Sequence, residues 1–537
     1  CKDVIVMKLW QKGIVYQIYP RSFKDSNGDG IGDLKGIISK LDYVKNLGID
    51  IIWLSPVYLS PNNDNGYDVA DYYKINPEFG TMADMDALIK KANELGLKII
   101  MDLVINHTST EHWWFKEALK GKDNPYRNYY HWRDKKNNWG GFFGGTTWEK
   151  AGDQYYLHLF DKTQADLNLS NPKVIEEVKN IMTFWLDKGI YGFRCDVINI
   201  IYKNSLENGK RRLVLTGLEH YHSTKRNHEI LQELRRDVLN NYVETFTVGE
   251  TVLVSPKQAY DLMAPDRKEL DLVISFEHMD VDHINNKWFK VKFKPKKMMK
   301  ALTKWQELLP WNCLYFENHD QPRSLSRFGC TEKYRLESAK MLATILLTLR
   351  GTPFIYQGQE IGMTNGDFKS LSEFMDTETH NIEKVGRKLL IPRPILKKML
   401  FRTSRDNART PMQWNATTGF TTGTPWLKEN QNKSFINVED ALQDDNSILN
   451  FYKRLISFRK SSHILTKGIF RVISMKNDVY IYEREHNNQI LRIFANMSKK
   501  EKKIHNKREP LLSNYQDFEP NKLRPYEAYI VEVRYGF

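Results

Sequence analysis

The sequence predicts an α/β chain: a (β/α)8 TIM barrel with a small domain inserted after its third strand and an antiparallel β-sandwich at its C-terminal end. Three observations predict it. Short β-branched and aromatic runs alternate eight times with longer segments of helical period, the pattern of parallel βα units. Several of these runs are nearly continuous in apolar residues, as strands covered on both faces are, and they end in polar residues rather than tight hairpin turns. Beyond residue 465 the alternation gives way to short strands of period two.

In chain order the expected barrel strands are IVYQIYP (14–20), IDIIWLSP (49–56), LKIIMDLVINH (97–107), YGFRCDV (191–197), ETFTVGE (244–250), DLVISF (271–276), NCLYFENHD (312–320) and TPFIYQGQE (352–360). A doubly wound open sheet is the rival architecture. It calls for a glycine-rich phosphate loop after the first strand, and YQIYPRSF is not one. The stretch between the third and fourth strands is too long for an ordinary connection. Its Trp-, Tyr-, Asn- and Gly-rich part predicts a subdomain over 107–170, which splits the barrel into 8–106 and 171–464. A helix over SILNFYKRLISFRKSSHIL then leads into the strands GIFRVIS, DVYIYERE, QILRIFANMS and AYIVEVRY of a C-terminal sandwich over 465–537.

The 537 residues, 41% of them hydrophobic, are enough for two or three domains around a sizeable core. Aromatic residues make up 12%, more than a core alone needs, and aromatic rings are platforms for the apolar faces of sugars, although most of them pack. Lys and Arg number 80 against 66 Asp and Glu, giving +14. That excess is dispersed or sits in Lys-rich segments such as 289–300 and 499–509, without any nucleic-acid fold signature, so it reads as solvated surface and nucleic acid is not an expected partner. Cys1, Cys195, Cys313 and Cys330 lack zinc-site spacing and are too few for a disulfide framework. No stretch is long and apolar enough to span a bilayer, and the start lacks a signal peptide's apolar stretch. The expectation is a cytoplasmic monomer with no membrane partner, residues 1–6 being an extension.

Acidic residues close three of the predicted strands: Asp196, Glu250 and Asp320. Barrels of parallel strands keep their chemistry at those C-terminal ends. Arg194 and Asp196 are two apart and share a face, and a guanidinium beside a carboxylate favours the ionised form, which suits a nucleophile. Glu250 follows a largely apolar run that raises its expected pKa and leaves it a proton to donate. Carboxyls on neighbouring strand ends approach to about 5 Å, the separation of retaining glycoside hydrolysis. Cys195 alternates to the other face, as a packing residue.

DLVINH (102–107), GFRCDVIN (192–199), VGE (248–250) and ENHD (317–320) resemble, in order, the four sequence regions of the α-amylase superfamily. QADLN (164–168), NGYDVADY (65–72) and RDNARTPMQW (405–414) further resemble its oligo-1,6-glucosidase branch, which also contains dextran glucosidases, α-glucosidases, sucrose isomerases and trehalose-6-phosphate hydrolases. The resemblance covers residues 8–537. It implies that Asp196 is the nucleophile, Glu250 the general acid and base, and Asp320 the carboxylate that steadies the distorted sugar. Arg194, His107 and His319 would bond the nucleophile or the sugar hydroxyls, with Asp102 supporting the floor. Asp68 and Arg409 would grip the terminal glucose and close the pocket behind it, which gives exo action. Tyr67 would stack on that glucose, with Phe160 and Gln164 lining the mouth.

No cofactor is expected for chemistry. DSNGDGIGD (25–33) offers oxygens at alternating positions, from Asp25, Asn27, Asp29, the Ile31 carbonyl and Asp33, as calcium loops do. Spacing alone leaves a bound ion and a solvated turn both open; the resemblance implies a structural Ca²⁺ or Mg²⁺. The Val after the nucleophile, Val197, and FEHMD (276–280) resemble α-1,6-acting members and imply isomaltose-like oligosaccharide substrates. QADLN and STEH (109–112) resemble trehalose-6-phosphate hydrolases as much as isomaltases, and Leu169 departs from the usual Trp, which keeps a phosphorylated disaccharide as the alternative. A non-catalytic binding role, found in transporter-associated relatives, is disfavoured by the presence of all three carboxylates.

Overall fold

The computed structural model describes residues 6–417 and 419–534. Cys1 and its neighbours through residue 5 lie outside the described residues. Eight parallel strands form the central sheet: β1 (Val15–Ile18), β2 (Ile51–Leu54), β3 (Lys98–Leu103), β4 (Gly192–Cys195), β5 (Phe246–Glu250), β6 (Leu272–Ile274), β7 (Cys313–Leu314) and β8 (Thr352–Tyr356). They are hydrogen-bonded in the order β6, β5, β4, β3, β2, β1, β8, β7, and β6 adjoins β7 where the ring closes. Nearly every strand residue is buried, because side chains point alternately into the barrel and under the helix layer.

Several strands stop earlier than their apolar runs do. β7 ends at Leu314, although Tyr315 through His319 remain buried, and β3 ends at Leu103. Past these ends the chain stays inside the protein but turns to aim polar side chains across the barrel mouth. His107 already belongs to the insert, whose base is a two-stranded antiparallel sheet of His107–Ser109 with Gln164–Asp166. A second sheet joins Trp132–Arg133, Gln154–Leu157 and Trp148–Ala151. The insert is locked to the turn after β4 by a fully buried ion pair, Lys203 Nζ to Asp166 Oδ2 at 2.7 Å.

The helix Leu34–Leu47 shows how local sequence sets these units. Asp33 caps it, accepting from the Gly36 amide, and Gly48 ends it with φ +102°, a conformation glycine adopts without strain. At the C-terminal end, Ile469–Lys476, Val479–His486, Gln489–Asn496, Ala528–Val533 and Leu512–Ser513 form an antiparallel sheet. A ribbon of Lys502–Lys503 with Lys522–Leu523 is a separate two-stranded sheet, and Leu523 and Ile504 pack with Phe494 and Tyr529 of the larger one. Arg484 reaches from the sheet to the carbonyl of Thr348 at 2.7 Å, tying it to the barrel's helix layer.

Candidate active site

Arg194 organises the mouth. It lies on β4 with Asp102 of β3 beside it in register, both facing inward. Its Nη1 donates to Asp102 Oδ1 at 2.8 Å and to Asp196 Oδ1 at 2.6 Å, and its Nη2 meets Glu250 Oε2 at 2.9 Å. Trp53 Nε1 donates to the other Asp102 oxygen at 2.6 Å, fixing that carboxylate as a support. One guanidinium therefore gathers carboxylates from three adjacent strand ends. Burial drives the Glu250 pKa up; Arg194 opposes this, while the charges of Asp196 and Asp320 add to the rise, and it reaches about 8. Burial also raises Asp196, against the pull of Arg194, so the guanidinium does not keep this acid as low as its sequence position suggests. The hydrogen bond between the two carboxyls favours charge on Asp196 and the proton on Glu250. Cys195, on the opposite face, is buried and its thiol is pushed up to about 12, leaving it a packing residue.

Val197 follows the nucleophile candidate with φ +38° and ψ +43°. A β-branched residue in this region is strained. The turn aims its amide at Glu250 Oε2, 3.2 Å away, and buries its side chain in a cluster with Trp139, Leu159 and Ile200, against which Phe160 packs.

Asp320 sits between two guanidinium groups and an imidazole. Arg409 Nη2 lies 3.0 Å and Arg405 Nη1 3.3 Å from its Oδ1, and His319 Nε2 is 3.2 Å from its Oδ2. Burial opposes ionisation, but His319, Arg405 and Arg409 outweigh it and hold this carboxyl far below the usual range. The His319 ring lies between Tyr67, stacked at 5.1 Å, and Tyr19 at 6.1 Å. Burial lowers its pKa to about 3, and Gln17 Nε2 donates to its Nδ1 at 2.8 Å, leaving a neutral ring with its proton on Nε2.

The expected pairing of Asp68 with Arg409 is not what the structure shows. Asp68 turns away to close its own loop, accepting from Ser60 Oγ and from the amides of Asn63 and Asp64. With burial pushing it to about 7, it is a turn residue. Asp64 is the acid that faces the site. It meets Arg405 Nη2 at 2.9 Å and accepts from Gln164 Nε2 at 3.0 Å. Arg405 also contacts Asp376 at 2.6 Å and Glu378 at 3.3 Å, so Arg405, Asp64 and Asp376 form the cluster that sequence reasoning missed. A signal for Arg405 was present: it precedes Arg409 by four residues, a spacing that puts both on one face of a helical turn.

At the mouth, Phe160 stacks on Phe142 at 4.8 Å and lies 5.7 Å from Phe143 and 5.3 Å from His107, so three half-buried phenylalanines line one side. His107 Nε2 donates to the Tyr67 carbonyl at 3.0 Å, with Gln164 Nε2 3.2 Å away, and burial lowers its pKa. Tyr67, Gln164, Phe160, His107, Arg194 and His319 thus come together around Asp196, Glu250 and Asp320, and the arrangement can donate one proton while presenting one anion.

In the 25–33 loop, Asp25, Asn27 and Asp29 accept from amides of the loop itself. Asp25 is only 4% exposed, and among the described residues no cation pairs with it. Burial raises its pKa, but bonds from Thr421 and the amides of Gly30, Asn27 and Gly28 bring it below the ordinary value, so a charged carboxylate is held inside the fold. Among the described residues no three His, Cys, Asp or Glu side chains group tightly enough for a metal, so an ion in this loop would need Asn27 and the Ile31 carbonyl as well. Asp33 has a second duty, capping the following helix and accepting from the Ser26 amide at 2.9 Å.

Residues 17–468 match the family model described as Alpha amylase, catalytic domain. The chain is 48% identical to an oligo-1,6-glucosidase of Parageobacillus thermoglucosidasius, over 98% of this chain and 99% of that one. It is 45% identical to a trehalose-6-phosphate hydrolase of Bacillus subtilis, over 91% and 89%. Among solved structures, the trehalose-6-phosphate hydrolase of Bacillus licheniformis superposes with a TM-score of 0.93 at 42% identity, covering 98% of this chain and all of the other.

Proposed function

Because this chain belongs to the alpha-amylase family, we propose that it is a retaining exo-acting α-glucosidase, removing terminal α-1,6-linked glucose, and α-1,4-linked glucose less readily, from short oligosaccharides such as isomaltose. The observation that carries this reading is the shared guanidinium of Arg194, which holds Asp196 and Glu250 against one another, with burial raising Glu250 toward its acid form. Glu250 protonates the leaving oxygen while Asp196 attacks the anomeric carbon and forms a β-glucosyl ester. Water, deprotonated by Glu250, then opens the ester and releases α-glucose. Asp320 and the Nε2–H of His319 hold the hydroxyls of the distorted ring, Tyr67 covers its face, and Arg409 with the Arg405–Asp64 pair ends the pocket behind it. Parallel hydrolysis of isomaltose, maltose, sucrose and trehalose 6-phosphate tests the substrate. Preference for isomaltose is expected.

Trehalose-6-phosphate hydrolysis is the second reading, favoured by the 45% identity to the Bacillus subtilis relative. Dominant turnover of the phosphorylated sugar would establish it and displace the first.

The proton on Glu250 sets the alkaline limit. Its raised pKa keeps the acid form available through neutral pH, and kcat/KM falls as pH rises through about 8. A pH–rate profile whose upper limb lay near an ordinary carboxylate value would contradict this assignment.

Val197 is the proposed linkage determinant, since it shapes the wall against Phe160. Val197→Thr puts a hydroxyl there at almost constant volume. The ratio of kcat/KM for isomaltose over maltose should drop about tenfold; an unchanged ratio would remove Val197 from that role.

A Ca²⁺ or Mg²⁺ held by Asp25, Asn27, Asp29, the Ile31 carbonyl and Asp33 would add cohesion to the fold and take no part in the chemistry. Chelation is expected to lower Tm, with Ca²⁺ or Mg²⁺ restoring it and kcat at 25 °C steady within about twofold, because binding to the folded state alone shifts only the unfolding equilibrium. A Tm indifferent to both ions counts against the site.

A further inference from the structure

Between Glu383 and Asp406 the chain carries no acidic residue, and it carries Lys384, Arg387, Lys388, Arg393, Lys397 and Lys398, all exposed. These lie on a hairpin of two helices, Thr377–Lys388 and Arg393–Thr403. Among the described residues, Arg387 is the one of the six paired with a carboxylate, Glu383. The hairpin's inner face is fully used: Leu396 and Leu400 are buried against Trp288, with Ile382 and Ile391 beside them. A second apolar set has no such partner. Leu389 is 69% exposed, Leu390 87% and Ile395 60%, and all three sit at the tip among the cations. Leu390 moreover occupies the turn with φ +56°, where glycine or asparagine is the unstrained choice. An exposed apolar tip ringed by cations, five of the six without a carboxylate partner among the described residues, matches neither a core element nor a merely solvated face.

The same combination recurs close by. Lys210, Arg211 and Arg212, the last of them 3.6 Å from Glu219, precede Leu213 and Val214, which are 101% and 59% exposed. Both segments border one turn of the insert: the Gly140 amide donates to the Thr216 carbonyl at 3.1 Å, and a Cβ at Gly144 would lie 3.8 Å from Val385.

We propose that the 384–398 hairpin tip is a docking site for an anionic lipid surface, its cations meeting the headgroups and Leu389, Leu390 and Ile395 entering the acyl boundary. Charge complementarity selects an anionic partner, and the convex apolar tip selects a bilayer, into which side chains insert, over a nucleic acid, which offers them nothing to enter. This is peripheral attachment. Among the described residues no helix is long and apolar enough to cross a membrane.

Co-sedimentation of the full chain with phosphatidylglycerol vesicles, and in parallel with phosphatidylcholine vesicles, tests it. Binding to the anionic vesicles alone is expected at about 0.1 M salt, weakening strongly by about 1 M as the charges are screened. Arg393→Glu with Lys397→Glu and Lys398→Glu should weaken binding by about a hundredfold or more. Leu389→Ser with Leu390→Ser should weaken it at least about tenfold with the charges intact. Tm should change little in both variants, since these side chains are exposed and only Lys397 among them lies over a ring, that of Phe401 at 5.1 Å. Absence of binding at low salt overturns the proposal. So does binding indifferent to the leucine pair, which would mean adsorption by charge alone, and so does equal binding to both lipids.

Discussion

Asp196→Asn is expected to lower kcat on isomaltose by at least about 10⁴-fold while the protein stays folded, the scale of loss seen when a covalent nucleophile is removed. The amide has the shape of the carboxylate and keeps an oxygen for the Arg194 Nη1 contact, so the geometry around the guanidinium survives. What disappears is the anion that attacks the anomeric carbon. The charge balance also favours an intact fold, because Arg194 faces three carboxyls and the substitution removes one. Since Asp196 is among the groups that raise Glu250, the acid's pKa should fall in the variant. Circular dichroism and thermal melting read the fold, and steady-state hydrolysis reads the rate. Near-normal turnover would end the assignment. The smaller Asp196→Ala opens space for azide, which should enter from the side the carboxylate vacated and yield β-glucosyl azide.

Glu250→Gln is expected to cost about 10²–10⁴-fold in kcat/KM on isomaltose, the span over which positioned proton transfer contributes. The loss should depend on the leaving group. An alkoxide of glucose needs the proton that Glu250 carries, whereas an acidic nitrophenol departs without it. On an aryl α-glucoside the first step therefore proceeds, the ester on Asp196 accumulates, and a burst of nitrophenol precedes slow turnover. Added azide, which needs no general base, should open that ester from the face water uses and give α-glucosyl azide. The opposite anomers from the two variants separate the roles of Asp196 and Glu250 with one reagent. A loss of equal size for every leaving group would mean that Glu250 is not the proton donor.

The barrel was legible because strands covered on both faces write unbroken apolar runs, and their carboxylates because a strand's end fixes where its last side chain points. Burial without a strand was not legible. In the segment after Leu314, Glu317, Asn318 and His319 are as buried as β-residues yet lie outside any strand, so the apolar pattern overran the ladder. The misplaced Asp68 has the same origin: Asp64 and Asp68 lie in one loop, where neither period two nor period 3.6 decides which turns inward. Arg405 was obscured by distance, since its partners Asp64, Asp320 and Asp376 come from three widely separated stretches. The oxygen spacing of the 25–33 loop was readable, whereas the helix cap by Asp33 needed the observed start of the helix at Leu34.

In the proposed reading, the ion pairs of Arg405 with Asp64, Asp376 and Asp320 close the pocket behind the terminal glucose and make it a blind alley. A sugar that enters must leave by the way it came, and only after the remainder of its chain has gone. Such an enzyme cannot thread a polymer or slide along one. Each cleavage ends an encounter, and a long glucan is shortened by repeated, independent visits to its free end.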